Sequence, residues 1–476
     1  MGFGRLMRAI AWAAVLATFA CTVAWTLHAI PLRLPAWCEV EVWFEADRLR
    51  AGLPLYVDPN VGADDYGPIP ARWFVTYPPV VSHLARFLPV ASRAVVLRSL
   101  ASLAFAFALA WPALRGSRLT GAATRREAVF FAIYFASFWI LANLATTGRP
   151  DSFALALASV AYTRTLNEGE LDNGSSALFA LAAIVKPTVV GLAVCALAVT
   201  VWRHKARALR RVWGGALVAL VVGGALVLES RGALLANVAA ANGQPLVPEQ
   251  WIANLPRLVF FAPPCGIVAW AARQTRSPRG QLACAGICGS FLLTFLALGK
   301  IGSASNYWLE PAVATVAAIA HFGSGIVWEK TWPAALALVQ VFYVEIAASR
   351  SALERIVADN REARLVRFAR EACRPSESRV VMSDNAGVEY MLNARIVTTA
   401  FQLVHAANRG RVKNTIWADH LSDPRVVCFI AETDIVASTP GANDVLSREF
   451  VQKDEAGSFR LMLRKKPAPP LELDPQ

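Results

Sequence analysis

The sequence has little charge for its length. Of its 476 residues only 17% are charged, whereas 56% are hydrophobic. Soluble globular domains carry about 25% charged residues, so this composition excludes an ordinary soluble enzyme. Long apolar runs separated by short polar segments indicate a polytopic, mostly α-helical membrane protein instead.

Acidic residues are also scarce. Lys and Arg outnumber Asp and Glu by 47 to 34, which gives a formal net charge of +13. Such an excess is typical of nucleic-acid-binding proteins. Here, however, the basic residues lie in short clusters between apolar runs, as in the cytoplasmic loops of membrane proteins. The distribution therefore indicates a lipid bilayer as partner and excludes nucleic acid.

The sequence lacks a zinc motif. Most of its eight cysteines lie within apolar segments, where cysteine behaves as a small hydrophobic residue. Cys284 and Cys288 share a helix face, but no histidine or further cysteine lies nearby. Cys373 and Cys428 lie in the polar tail, where they are able to pair if the compartment is oxidising.

Positive charges assign a side to each loop. Arg5 and Arg8 precede the first apolar run, and no small-residue cleavage site follows, so we interpret this run as a retained span with a cytoplasmic N-terminus. The same rule predicts three cytoplasmic loops, at residues 115–126, 203–211 and 273–279. The pattern predicts about eleven membrane helices, the last at 332–347, and an external C-terminus.

One apolar run contradicts this alternation unless it is interrupted. Residues 176–202 look like a single span, yet a single span would place the basic loop 203–211 outside. Pro187 removes a helical hydrogen bond and disfavours the helical conformation at Lys186. We therefore predict a hairpin of two short helices around a protein-lined cavity, with Lys186 at its outer tip. The alternative is that Lys186 snorkels from a helix end.

The composition changes at about residue 349. We predict a transmembrane domain over residues 1–348 and a small external α/β domain over 349–476. Within the tail, charged and apolar residues alternate over 353–370 as in a surface helix. Two short strands are predicted at 379–382 and 425–430.

The first external loop, residues 32–93, is the main candidate for function. It places Glu39 and Glu41 close to the exit of the first span. A carboxylate near hydrocarbon is costly and therefore suggests function. We predict a short interfacial helix in which Trp43, Phe44 and Leu49 face lipid and the acidic residues face inward. A solvated face of the same helix accommodates the charged residues that follow: Glu45, Asp47, Arg48 and Arg50.

Further polar residues fall at the outer ends of the predicted spans. They are Arg149, Asp151, Lys186, Asn242, Lys300, Asn306 and Tyr307. Carboxylates and cations on one side of a helical bundle indicate a pocket for an anionic amphiphile beside an acid–base centre. Lysine suits a phosphate as a point charge, and arginine binds one bidentately. Two alternatives remain open: Arg149 and Asp151 also fit a structural ion pair, and Asn306 and Tyr307 fit interfacial anchors.

This arrangement resembles the GT-C superfamily, the polytopic glycosyltransferases that use polyprenyl-phosphate-linked sugars. The resemblance covers nearly the whole chain. Within the superfamily, the chain resembles mannosyl- and arabinosyltransferases. It is carried by Glu39-Val-Glu41, residues 46–56, Tyr77-Pro-Pro79, Arg149-Pro-Asp151, Lys186-Pro187 and residues 302–307. The family signature is an acidic residue or pair in the first loop, often containing Asp. Here the pattern is Glu-x-Glu, which leaves open which acid acts and whether a divalent metal ion binds Glu39 and Glu41.

The resemblance implies a glycosyltransferase of the inner (plasma) membrane. Its donor is a polyprenyl-phosphate sugar, and its acceptor is a hydroxyl of a glycan, lipid or protein on the periplasmic side. Glu39, or else Glu41, is then the general base of an inverting displacement. The expected donor phosphate ligands are Lys186, Lys300 and Arg149, and the expected pocket residues are Asp151, Tyr77, Asn242, Asn306 and Tyr307. No cofactor other than the possible metal ion is implied.

Two functions from other classes remain open. A secondary transporter or lipid flippase shares the helix count, the interrupted helix at Lys186 and the buried charges. We find no clear internal repeat, however, and the polar residues gather at one face of the membrane instead of its midplane. A non-catalytic sugar-lipid-binding protein needs the phosphate cations but does not require the carboxylate.

Overall fold

The computed structural model describes residues 3–32, 35–64, 69–116, 122–138, 147–300, 305–322, 363–376, 378–456 and 458–465. The chain forms two compact units. The first, here the helical unit, comprises Met1–Pro31, Ala94–Leu228 and Gln244–Ala352. The second, here the α/β unit, comprises Leu32–Arg93, Glu229–Gly243 and Leu353–Gln476. The α/β unit thus includes the first loop as well as the C-terminal tail.

Apolar helices form the helical unit. They are Phe3–Leu32, Val90–Arg115, Ala122–Ala136, Pro150–Glu168, Asn173–Val185, Gly191–His204, Ala208–Val218, Gly224–Glu229, Pro248–Gln274, Pro278–Leu298 and Leu309–Phe322. Among the described residues, four helical stretches are long and apolar enough to cross a membrane: Arg8–Pro31, Val90–Arg115, Gly191–Glu229 and Pro278–Leu298. The predicted span at 332–347 lies outside the described residues, and the number of eleven spans stays a prediction.

The apolar run at 176–202 is interrupted, as the sequence predicts. Helix Asn173–Val185 ends at Lys186, whose backbone is extended with φ −147° and ψ 104°. The next helix, Gly191–His204, begins after a short turn. Pro187 explains the end of the first helix, because the residue before a proline avoids the helical region. The two helices have 13 and 14 residues, fewer than the roughly 20 that a straight span requires.

A four-stranded sheet forms the centre of the α/β unit. Its strands are β1 (Val380–Ser383), β2 (Val426–Ala431), β3 (Phe450–Ala456) and β4 (Phe459–Arg464), in the order β1-β2-β4-β3. β1 and β2 are parallel, whereas β4 is antiparallel to both of its neighbours. The predicted strands at 379–382 and 425–430 are therefore confirmed. The β3–β4 hairpin was not predicted.

Helices cover the sheet on both faces. The helices of this unit are Trp37–Arg50, Val80–Ala85, Ala233–Asn242, 363–373, Ala386–Asn393, Ala400–Ala407, Ile416–Ser422 and Ala442–Glu449. Alternate residues of β2 face opposite sides: Phe429 packs with Trp417 in one apolar cluster, whereas Cys428 packs with Leu365 in another. A disulfide joins Cys373 to Cys428, which confirms their predicted pairing.

The first loop completes the core of this unit. Ile69 belongs to the apolar cluster that contains Val397 and Trp417. Phe74 packs with Leu403 and other residues of the tail in a third cluster. Burial of apolar side chains is the main driving force for folding, so these residues bind the loop to the tail.

Candidate functional site

The first-loop carboxylates lie on one short helix of the α/β unit, Trp37–Arg50. Glu39, Glu41 and Glu45 are 0%, 5% and 6% exposed. Successive helical residues are rotated by about 100°, so Glu41 and Glu45 share a face whereas Glu39 points about 200° away from Glu41. Glu39 also lies in the first turn, where the positive end of the helix dipole stabilises its charge. Only one member of the Glu39–Glu41 pair is therefore expected to reach a given substrate atom.

The prediction that the apolar residues of this helix face lipid is wrong. Trp43 and Phe44 are buried within the α/β unit. The ring of Phe44 packs edge-on against Trp73 with centroids 4.9 Å apart, and Trp43 packs against Tyr390 at 5.7 Å. Loop and tail residues enclose the helix, which the helix's own sequence does not reveal.

The interpretation of a solvated charged face is wrong as well, except at the exposed Arg50. Arg48 is fully buried, donates from Nε to the carbonyl oxygen of Pro54 at 2.8 Å and lies over the ring of Trp73. Asp47 binds Arg93 at 2.7 Å and accepts a hydrogen bond from the Tyr390 hydroxyl at 2.7 Å. These charges therefore hold the helix inside the unit.

Glu41 accepts hydrogen bonds from two other segments. The Thr76 hydroxyl donates to its Oε2 at 3.2 Å, and Gln402 Nε2 donates to its Oε1 at 2.6 Å. Hydrogen bonds to a carboxylate favour its ionised form. Sequence reasoning missed Gln402, which lies 361 positions from Glu41 and carries no local signal.

Glu45 lies one turn further along the same face of the helix. Its Oε2 accepts a hydrogen bond from the Ser82 hydroxyl at 2.5 Å. Burial raises the pKa of Glu45 to about 8, and the neighbouring Glu41 charge adds to the increase in pKa. At neutral pH the Glu45 carboxyl is therefore mostly protonated, and the helix buries one charge fewer.

In the helical unit, three of the predicted residues meet. Asp151 Oδ2 lies 2.9 Å from Lys186 Nζ and 3.5 Å from Arg149 Nε. All three side chains are buried, so Lys186 does not snorkel to the surface. Arg149 precedes helix Pro150–Glu168 and Asp151 lies in its first turn, where the helix dipole favours a carboxylate. We call these three residues, two cations and one carboxylate, the Asp151 cluster.

Glu310 borders the same helix interruption and was missed. It lies in the apolar helix Leu309–Phe322 and accepts hydrogen bonds from the backbone N–H groups of Gly191 and Leu192, both at 3.1 Å. These groups begin helix Gly191–His204, which Val190 does not cap with its side chain. Glu310 thus satisfies donors that are otherwise unpaired at a helix start. An acidic residue within an apolar run was the available signal.

The remaining predicted residues lie in separate segments of the chain. Lys300 follows helix Pro278–Leu298, is partly exposed, and pairs with Leu246 through its backbone. The carbonyl oxygen of Tyr307 accepts a hydrogen bond from Thr294 at 2.8 Å. Tyr77 follows Thr76 and is partly exposed. The side chains of Asn242 and Asn306, together with residues 301–304, lie outside the described part of the structure.

A metal site is not evident in the described part of the chain. No group of three or more His, Cys, Asp or Glu side chains there is placed to hold a metal ion. Glu39 and Glu41 point in different directions from their helix, so a single ion is not expected to bind both.

The apolar helices and the small α/β unit together define a polytopic membrane protein. No protein-family model and no curated protein matches the sequence. Among solved structures, the chain is similar to ArnT from Cupriavidus metallidurans bound to undecaprenyl phosphate. The TM-score is 0.60 at 12% sequence identity, and the match covers 94% of this chain and 97% of that chain. The chain therefore shares the fold of that structure over nearly its whole length.

Proposed function

We propose that the chain is a membrane glycosyltransferase that uses a polyprenyl-phosphate-linked sugar as donor. The observation that carries this proposal is the fold shared over 94% of the chain with ArnT, a protein solved with undecaprenyl phosphate bound. The buried Asp151 cluster and the buried first-loop carboxylates agree with it, because they provide cations for a phosphate and a base for a hydroxyl.

The donor phosphate is proposed to bind the Asp151 cluster. Lys186 and Arg149 supply positive charge in a site where side chains are shielded from water, so their attraction for a phosphate is strong. Lys300 is proposed as a further phosphate ligand. These cations also stabilise the lipid phosphate as it leaves, so the leaving group needs no general acid.

Glu39 is proposed as the base that activates the acceptor. As the acceptor oxygen bonds to the anomeric carbon, the bond from that carbon to the phosphate oxygen breaks. The acceptor proton passes to the Glu39 carboxylate, and the electron pair leaves on the lipid phosphate. The reaction passes through an oxocarbenium-like state and inverts the anomeric centre. The reaction is proposed to take place on the external face of the cytoplasmic membrane, because the positive-inside rule assigns the first loop to that side.

The test is transfer by purified protein from radiolabelled polyprenyl-phosphate sugars to candidate acceptors. Glu39→Gln should lower turnover by roughly 10²–10⁴, the usual contribution of a positioned base, while donor affinity is retained. Glu168→Gln, at an exposed helix end, is the matched control and should transfer normally.

Three outcomes would change the proposal. Normal turnover in Glu39→Gln with an inactive Glu41→Gln moves the base to Glu41. Normal turnover in both variants ends the general-base mechanism. Movement of the sugar lipid across reconstituted vesicles without any transfer supports the transporter or flippase instead.

A further inference from the structure

Three segments of the α/β unit meet at Glu41. They are its own helix, residues 72–76 of the first loop, and helix Ala400–Ala407 of the tail. Besides its bond to Glu41, Gln402 Nε2 donates to the Thr76 hydroxyl at 3.3 Å. Glu41, Thr76 and Gln402 are all buried, and both carboxylate oxygens accept a hydrogen bond. The arrangement fixes the orientation of the Glu41 carboxylate.

Backbone pairing holds the two donor segments in register. The N–H of Arg72 donates to the carbonyl of Val397 at 2.8 Å, and the N–H of Thr399 donates to the carbonyl of Arg72 at 3.1 Å. The Thr399 hydroxyl also accepts from the N–H of Phe74 at 3.3 Å. Gln402 follows Thr399 within one helical turn, so this bridge sets the spacing between Gln402 and the first-loop donor.

A second buried acidic side chain, that of Glu389, supports the backbone pairing of Arg72 with Val397 and Thr399. Glu389 is fully buried and accepts hydrogen bonds from the N–H groups of Ser383 at 2.9 Å, Val397 at 2.8 Å and Thr398 at 3.0 Å. Three backbone donors on one buried side chain leave little freedom to the backbone that carries them. The segment that leads into Gln402 is therefore anchored to the sheet.

We propose that Gln402 is a positioning residue that holds the Glu41 carboxylate in one orientation through the hydrogen bond to its Oε1. The tail of the α/β unit therefore orients a side chain of helix Trp37–Arg50 in addition to covering that helix. The inference rests on the proposed function, in which Glu41 is the alternative to Glu39 as the base.

Other titratable groups face the same region of the unit. Glu45 lies one turn along the helix, and its charge and that of Glu41 disfavour each other. The charges of Glu45 and Glu229 act on Tyr56. Glu229 Oε2 also lies 3.3 Å from His83 Nε2. Arg72 and Glu389 are the ionisable side chains that hold the first loop and the tail in register. A Glu45→Gln background therefore removes the nearest competing titration.

The test measures the titration of Glu41 itself. Full-length protein with ¹³C-labelled glutamate is titrated by infrared spectroscopy in the Glu45→Gln background, and the spectrum of the additional Glu41→Gln variant is subtracted. Gln402→Met keeps the side-chain length but removes the donor. It should raise the midpoint of the Glu41 titration by about one pH unit, a tenfold change in proton affinity. Gln402→Lys restores a donor as an ammonium group and should lower the midpoint again.

Tyr390→Phe is the matched control, because it removes the bond from the tail to Asp47 and leaves the partners of Glu41 in place. Its titration midpoint should not move. An unmoved midpoint in Gln402→Met, or an equal shift in Tyr390→Phe, overturns the proposal.

Activity provides the second readout. In Gln402→Met, the acidic limb of the transfer rate should move to higher pH by the same amount, with an unchanged KM for the donor. If the wild-type protein transfers no sugar but the Glu41 midpoint shifts as expected, the proposed function fails and the positioning role of Gln402 stands.

Discussion

Lys186 Nζ and Asp151 Oδ2 lie 2.9 Å apart, and both side chains are almost completely buried. The two residues stand at opposite ends of their helices: Asp151 in the first turn of one helix and Lys186 directly after the last turn of another. Lys186 therefore has two roles. It neutralises a buried carboxylate, and it is proposed to attract the donor phosphate. The two roles are separable by mutation.

Removal of Lys186 alone should harm both stability and donor binding. Lys186→Met leaves Asp151 with less positive charge around it, and the loss of one partner of a buried pair costs about 3–5 kcal/mol. The double variant Lys186→Met/Asp151→Asn, which keeps an acceptor oxygen beside Arg149, should regain part of the melting temperature but not the affinity for polyprenyl phosphate. Thermal unfolding and ligand titration in detergent measure the two effects. Wild-type affinity in the double variant removes Lys186 from the phosphate site.

The cap at the helix interruption should contribute to stability. Glu310→Leu leaves the N–H groups of Gly191 and Leu192 without acceptors, and each buried unsatisfied donor costs about 1–3 kcal/mol. Glu310→Gln keeps one acceptor oxygen and should be less damaging. Unfolding curves of the two variants check the order. Equal stability of Glu310→Leu and the wild type contradicts the capping role.

The α/β unit should lose stability as the pH rises through the titration of Glu45. Its pKa is raised by burial from 4.5 to about 8, so between these values the folded state binds more protons than the unfolded state. The free energy of unfolding then falls by up to about 1.4 kcal/mol per pH unit from this group. Burial also raises the pKa of Glu389 to about 8, which adds a loss of the same sign.

The contribution of Glu45 is isolated by Glu45→Gln. This variant titrates nothing at position 45, so its unfolding free energy should decline less between pH 5 and pH 8 than that of the wild type. Chemical denaturation at each pH, with a fluorescent reporter in the α/β unit, provides the measurement. Parallel pH profiles for the two proteins would show that Glu45 is already ionised at low pH.

The sidedness of the interrupted helix leads to a labelling prediction. Arg207→Cys, in a background without free cysteines, should react with an impermeant thiol reagent only after the cells are opened. Thr415→Cys, exposed on the tail, should react in intact cells and serves as the external control. Labelling of position 207 from outside intact cells contradicts the hairpin.

Local sequence signals predicted the features that short segments determine. Pro187 ends a helix through its own ring, and the apolar runs of β1 and β2 are recognisable in isolation. The charged β3 was missed because it is an edge strand with one neighbour, where polar residues such as Lys453 and Asp454 protect against aggregation. Charge alone does not distinguish such a strand from a loop.

The surroundings of helix Trp37–Arg50 depend on distant parts of the chain. Trp43 was predicted to face lipid because its helix was treated as isolated, whereas Tyr390 and other residues cover it. The partner of Glu41 could not be read from the sequence either, since Gln402 is an ordinary amide in a short helix. The position of Glu39 and Glu41 on one helix was predictable, but their neighbours are a property of tertiary structure.

The participation of Ile69 and Phe74 in the core of the tail has a consequence for biosynthesis. The ribosome completes these residues long before β1 and β2, and at about 5–20 residues per second the delay is on the order of tens of seconds. During this interval the first loop lacks the apolar surfaces against which it folds. A chain whose synthesis stops early therefore leaves Ile69 and Phe74 exposed to proteases and chaperones. The first loop reaches its final structure only after the C-terminal residues have been made.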